Sequence, residues 1–176
     1  VSPRFVVLSG CSGGGKSTLL DEMARRGYST VPEPGRRVIA EERQCGGRAL
    51  PWIDPEAFCR RIIEIATSDI QSVTDDLVIF DRSALDAMIW YDRTDTPLAP
   101  SVREQILHLG YESRVFLFPP WPEIFEQDED RRHNWAAAIA EFEALCDRLP
   151  SYGFETVLVP KGSAALRADW LEEQLG

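Results

Sequence analysis

Apolar and polar residues alternate along this chain in a way that marks five short strands separated by helices. The strand candidates are Phe5-Val6-Val7-Leu8, Tyr28-Ser29-Thr30-Val31-Pro32, Leu77-Val78-Ile79-Phe80, Val115-Phe116-Leu117-Phe118 and Thr156-Val157-Leu158-Val159. Unbroken apolar runs of this length suit strands covered on both faces. Residues 18–26 mix apolar and charged positions at helical spacing, and 36–43 read as a short helix. Residues 55–73 place Phe58, Ile62, Ile63, Ile65, Ala66 and Ile70 on one face. Asp54 is the expected N-cap of that helix, with Pro55 in its first turn. Helices are also predicted over 83–91, near 101–109, over most of 123–149 and over 163–175. Glu33-Pro34-Gly35 reads as a turn and 45–51 as a loop. Strand alternating with helix predicts an α/β fold around a parallel sheet. No linker, repeat or low-complexity segment divides the sequence, so residues 1–176 are expected to form one domain.

A length of 176 residues with 44% hydrophobic content permits a substantial core. No apolar run would span a bilayer and the N-terminus carries no signal-peptide pattern, so a cytoplasmic location is expected. Cys11, Cys45, Cys59 and Cys146 are scattered, with neither C-x-x-C nor metal-ligand spacing, and read as reduced thiols. The formal net charge of -10 opposes nucleic-acid polymers and anionic membranes as partners. It also opposes small polyanions, so any such ligand needs locally concentrated cations. Lys16 and Lys161 are the only lysines; arginine, whose planar fork suits phosphate, supplies the other cations.

The strongest chemical signal is Gly10-Cys11-Ser12-Gly13-Gly14-Gly15-Lys16-Ser17, a full match to G-x-x-x-x-G-K-[ST] placed between a strand and a helix and followed by Thr18. Glycines allow successive N–H groups to turn inward as an anion nest. The N-terminus of the following helix adds donors and partial positive charge. Lys16 is expected to reach the β- and γ-phosphates of ATP, and the Ser17 hydroxyl to ligate Mg2+.

Three further groups stand at strand ends, where open α/β sheets gather their ligands. Asp81, directly after 77–80, has the form of a metal-holding carboxylate, directly or through water. Glu33 can orient an attacking hydroxyl or take its proton, while Arg36 and Arg37 can clamp an anionic part of the acceptor. A solvated turn is the competing reading. The run Gln127-Asp128-Glu129-Asp130-Arg131-Arg132-His133 is either a solvated, dipole-complementing helix start or a lid around 127–135 that brings Arg131 or Arg132 over the transferred group. Asp86, on the helix after Asp81, is a further candidate for binding a hydroxyl. Trp52, Trp90, Tyr91 and Trp121 can stack on a ring or serve as core.

Gly10 to Thr18, Glu33-Pro34-Gly35 and Asp81-Arg82-Ser83 together resemble the nucleoside and nucleotide kinase group of P-loop proteins. Glu33-Pro34-Gly35 is similar to the turn after the second strand of thymidylate kinases. Its Glu-Pro pair is also similar to deoxynucleoside kinases, where the carboxylate serves as base. Asp81-Arg82-Ser83 resembles the acidic-Arg-Ser motif after their third strand, which implies that Arg82 faces acceptor and phosphates. Trp121-Pro122-Glu123-Ile124-Phe125, Asp130-Arg131-Arg132 and the 152–160 segment extend the likeness over most of the chain. The order of pieces most resembles small AAA-domain ATPases or kinases related to ribosylnicotinamide kinases. That resemblance implies a P-loop NTPase fold, a nucleotide-kinase-like three-layer α/β/α sandwich whose five-stranded sheet runs 2-3-1-4-5. R-G-R lids, long lid inserts and an assignable base-recognition segment are missing from the sequence.

Taken together these readings lead to an expected ATP- and Mg2+-dependent kinase acting on a small-molecule acceptor, a nucleoside, nucleotide or nucleoside-like compound. Lys16, Glu33, Asp81, Arg82, Arg131 and Arg132 are its candidate catalytic groups. Either Glu33 or Asp81 would orient the acceptor. The alternative is a regulatory ATPase whose lid reports nucleotide occupancy. Lack of D-x-x-G and N-K-x-D argues against a GTPase, and the short chain against an oligomeric motor.

Overall fold

The computed structural model describes residues 2–11, 13–124 and 135–176. Its sheet has five parallel strands: β1 (Arg4–Gly10), β2 (Ser29–Val31), β3 (Leu77–Asp81), β4 (Tyr111–Phe118) and β5 (Glu155–Leu158). Their spatial order is β2-β3-β1-β4-β5, as the resemblance implies. The three central strands are the continuous apolar runs, and Val6, Val7, Leu8, Val78, Ile79, Phe116 and Leu117 are all fully enclosed. Burial on both faces requires two helical layers. Helices α1 (Lys16–Arg25) and α7 (Ala164–Leu175) cover one face, where Leu19, Leu20, Met23, Ala168 and Leu171 meet Val6, Leu8 and Phe116. The opposite face packs α3 (Pro55–Ser72), α4 (Ala84–Arg93), α5 (Pro100–Leu107) and α6 (Trp135–Arg148) against Val7, Val115 and Leu117. Helix α2 (Pro34–Cys45) leans on α3 through Val38, Ile39 and Phe58.

Local chemistry explains the boundaries. The Asp54 carboxylate accepts from the Ala57 amide, capping α3 as expected, and Ser163 caps α7 by accepting from Leu166. Two of the differences from the sequence reading have a local physical cause. Glu33-Pro34-Gly35 is the start of α2, with Glu33 at the N-cap and Pro34 in the first turn, because proline's fixed φ suits that position. Strand β4 begins at Tyr111, four residues before the apolar run. Tyr111 pairs with Phe5 and stacks edge-on against Phe80, and this tertiary packing draws a polar segment into the sheet. A 3₁₀ turn (Pro122–Ile124) precedes the undescribed segment, and Arg131, Arg132 and the predicted lid up to residue 134 lie outside the described residues. No helix among the described residues is long and apolar enough to cross a membrane.

Candidate active site

Parallel pairing brings three strand ends level. Leu8 registers with Asp81, and Gly10 with Phe118, so the glycine loop emerges between β3 and β4. Gly10 has φ +113, and a Cβ there would lie 2.5 Å from both the amide nitrogen and the carbonyl oxygen of Phe118. The chain can therefore turn out of β1 only with glycine at this point. The turn is fastened by the Cys11 amide donating to the Phe118 carbonyl at 2.8 Å. Gly15 enters α1 in the left-handed region, with φ 86, and leaves the helix without a side-chain cap. Unpaired N–H donors at that end are the expected anion site. Cys11, Gly13, Gly14 and Lys16 are buried, whereas Ser17 and Thr18 are exposed at the loop's mouth; Ser12 lies outside the described residues.

Lys16 is enclosed, and its ammonium donates to the Cys11 carbonyl at 2.9 Å. Burial lowers its pKa to about 8, helped by the Arg82 charge and opposed by Asp81, Glu33 and Glu141. Asp81 is likewise buried, and its Oδ1 has no hydrogen-bond partner among the described residues. Burial pushes its carboxyl up to about 6, against the pull of Lys16, with Glu33 adding to the rise. A buried carboxylate oxygen left unbonded beside a phosphate loop is a suitable hard-cation ligand. Lys16, Glu33, Asp81 and Arg82 feel one another because β1, β2 and β3 end at the same edge of the sheet.

Next to Asp81 the backbone does something unusual. Arg82 sits at φ 60, a left-handed conformation that costs a non-glycine residue about 1–2 kcal/mol. Its amide donates to the Leu8 carbonyl at 2.7 Å, tying the bend to β1. The bend sends the guanidinium toward carboxylates from three elements. Its Nε lies 3.6 Å from Glu33 Oε1, its Nη1 lies 3.4 Å from Asp86 Oδ1, and Nη1 also hydrogen-bonds Glu141 of α6. Burial alone would lower the Arg82 pKa, but Glu141, Glu33, Asp86 and Asp81 more than offset it and raise it.

A cavity of about 240 Å³ opens from this cluster, between α2, α3, α4 and α6. Glu33, Arg36, Arg82, Asp86, Arg93 and Glu141 are its charged lining, and Phe58, Ile62 and Trp90 part of its apolar one. Arg36 lies in that charged lining, 3.8 Å from Glu33. Arg37 does not: its guanidinium grips Asp69 of α3 at 2.9 and 2.5 Å and the Pro32 carbonyl at 3.1 Å. One residue further along a helix turns a side chain by about 100°, so Arg36 faces the cavity and Arg37 the α3 flank. This corrects the expectation that both arginines clamp the acceptor.

Asp86 touches the cavity, yet both its oxygens are engaged. Oδ2 accepts from the Ser83 amide at 2.8 Å in a capping box, and Oδ1 accepts from the Ser9 hydroxyl. It braces α4 against β1, which departs from the reading of Asp86 as a group reserved for a ligand hydroxyl. Of the candidate stacking aromatics, Trp90 lines the cavity. Tyr91 is buried core, Trp52 packs near α2 under Arg43, and Trp121 lies against Arg167.

Two neighbours of the site were not legible in sequence. Glu141 sits in a long helix whose charges look uniformly solvated, yet it meets Arg82. Arg167, from the opposite layer, is buried, donates to the Gly15 carbonyl at 3.1 Å and lies over the rings of Phe118 and Trp121. Only the three-dimensional return of α7 to α1 brings it there.

Glycine loop, buried lysine and strand-end aspartate on a 2-3-1-4-5 sheet define a P-loop protein of nucleotide-kinase-like architecture. The chain belongs to an AAA-domain family, whose model matches residues 5–167. Several solved structures share the fold at low identity. The NadR protein in complex with NR is 20% identical with a TM-score of 0.72, over 97% of this chain and 51% of that one. A deoxyadenosine kinase from M. mycoides, with products dCMP and a flexible dCDP bound, is 16% identical with a TM-score of 0.67 over 98% of both chains. The shikimate kinase from Acinetobacter baumannii, bound to shikimate, is 17% identical with a TM-score of 0.58, over 98% of this chain and 93% of that one. A comparison with curated protein sequences gives no significant match.

Proposed function

We propose that this protein is an ATP-dependent phosphotransferase that passes the γ-phosphoryl group to a small nucleoside, nucleotide or nucleoside-like acceptor. One observation carries the reading: the cavity begins at Glu33 and Arg82, and Arg82 directly follows Asp81, the strand-end carboxylate beside the phosphate loop. Lys16 and Asp81 on the loop side are electrostatically coupled to Glu33 and Arg82 on the cavity side. A donor site and an acceptor site that meet at one cluster are the requirement of direct transfer.

On this reading the loop amides and Lys16 bind the β- and γ-phosphates of ATP. The polyanion restores full charge to a lysine whose burial has lowered its pKa to about 8, so binding and protonation reinforce each other. Ser17 and Asp81 are the residues suited to hold Mg2+, which when bound would neutralise charge on the phosphate oxygens. Glu33 accepts the proton of the acceptor hydroxyl as its oxygen bonds to the γ-phosphorus. The bond from that phosphorus to the β-bridging oxygen breaks, and ADP departs with the electron pair. Arg82 fixes Glu33, and Arg131 or Arg132 would close over the transferred group. The resemblances at the fold level to nucleoside and nucleotide kinases support this acceptor class.

Lys16→Ala tests the donor half. ATP affinity measured by calorimetry is expected to fall at least about tenfold, since a charge-assisted contact contributes about 1.5–3 kcal/mol. Unchanged affinity removes the phosphate-loop assignment. Wild-type protein that binds ATP tightly but transfers phosphate to no acceptor would instead favour a nucleotide-occupancy switch.

A further inference from the structure

The acceptor pocket has an electrostatic character that narrows what can be phosphorylated. Arg82 is the cation placed at its phosphate-loop end, and it already faces Glu33, Asp86 and Glu141. Asp81 adds a further carboxylate to the same environment. Arg36, the next cation along the wall, lies 3.8 Å from the second oxygen of Glu33. Among the described residues, Glu33, Asp86 and Glu141 thus outnumber Arg36 and Arg82 at this end of the cavity; Arg93, the third arginine of the lining, closes α4 about three turns away, and Lys16 is held on the loop side by the Cys11 carbonyl. An acceptor phosphate carries about two negative charges near neutral pH. Placed beside the donor's γ-phosphate it would need a cationic clamp at this end, and among the described residues Arg82 would have to abandon its half-buried carboxylates to provide one.

A hydroxyl meets the same wall favourably. Glu33 holds its arginines at 3.6 and 3.8 Å, outside hydrogen-bond distance, so its oxygens can accept from a hydroxyl without breaking a bond. Away from this end Phe58, Ile62 and Trp90 offer apolar and aromatic surface, and the cavity of about 240 Å³ limits the ligand to a small molecule. The polar end and the apolar end thus ask for different halves of one compound.

We infer that the acceptor is an uncharged alcohol on a small ring-bearing molecule, and that the enzyme selects against phosphomonoester acceptors. This rests on the kinase reading and divides its acceptor class: nucleoside-like alcohols are substrates, and nucleotides are not. Glu33 and Glu141 are the specificity-determining residues. Glu141 acts through Arg82, by keeping that guanidinium from serving a phosphate.

The experiment is a matched panel. Ribo- and deoxyribonucleosides and cyclic polyols, each beside its own monophosphate ester, are incubated with radiolabelled ATP, Mg2+ and the full chain. The best alcohol is expected to exceed its phosphate ester by about 100-fold in kcat/KM, the scale on which a misplaced buried charge discriminates. Glu141→Gln should narrow that ratio at least about tenfold, because it leaves Arg82 partly uncompensated; a general loss of structure would lower both members of each pair together. Esters phosphorylated as well as or better than their alcohols overturn the inference while leaving the kinase reading intact. An unchanged ratio in Glu141→Gln overturns the role of Glu141. Transfer to neither set, with ATP bound, removes the kinase reading and the inference with it.

Discussion

Substituting Gly10 by alanine separates two effects that are normally confounded. The residue has φ +113, and the added Cβ would lie 2.5 Å from two backbone atoms of Phe118. Gly27 offers the control: φ is +97, but a Cβ there meets nothing within 4 Å. Backbone strain should cost Gly27→Ala about 1–3 kcal/mol. Gly10→Ala bears the same strain, and β4 must also shift away from β1. That shift sacrifices the Cys11–Phe118 hydrogen bond of 2.8 Å, worth about 1 kcal/mol, together with packing of the buried strand ends. A total of about 3–5 kcal/mol is expected, a large share of the about 5–15 kcal/mol that holds a domain together. Urea denaturation followed by circular dichroism measures both variants. The excess of about 2 kcal/mol corresponds to a melting temperature about 4–8 °C lower than that of Gly27→Ala. ATP affinity should fall in Gly10→Ala and persist in Gly27→Ala. Equal stabilities for the two variants, within about 0.5 kcal/mol, would refute the claim that the loop is shaped by contact with β4.

Asp81 governs a pH effect whose sign is set by burial. Its folded pKa, about 6, lies above the ordinary value of 3.8, so between these pH values the native state binds more protons than the unfolded one. Its contribution to stability therefore declines as pH rises through that window. Denaturation midpoints of wild type minus Asp81→Asn should fall from pH 4 to pH 6; a flat or rising difference contradicts the assignment. Arg167→Met should weaken ATP binding about fivefold in calorimetry, the value of one hydrogen bond of about 1 kcal/mol to the Gly15 carbonyl. Fold stability should hold, because burial already penalises that charge; unchanged affinity would show that α7 does not support the loop.

The phosphate loop was legible because its chemistry is contiguous. Residues 10–17 lie in one stretch, and buried strands betray themselves as apolar runs. Asp81 followed from position, since the residue closing such a run stands at the sheet's ligand edge. Where a side chain points was harder to read. Arg36 and Arg37 are equivalent on paper, and only the onset of α2 at Pro34 decides which one faces the cavity. Glu141 and Arg167 were hidden for another reason. Each reaches the site across a helix-layer contact separated from its partner by 59 and 152 residues, respectively, a range over which local periodicity is silent. The polar start of β4 was hidden too, because Tyr111 is held in the sheet by Phe5 and Phe80 and not by its own neighbours.

The shortness of β2 has a consequence for how the molecule can change over evolutionary time. Glu33 follows a three-residue edge strand of half-buried positions, whereas the glycine loop leading to Lys16 leaves one enclosed central strand and Asp81 ends another. Local opening starts where buried contacts are few, so this margin can loosen while the middle of the sheet stays closed. Substitutions around α2 then draw on a small part of the molecule's stability reserve. On the proposed reading, acceptor preference can drift among descendants while the triphosphate grip is inherited unchanged.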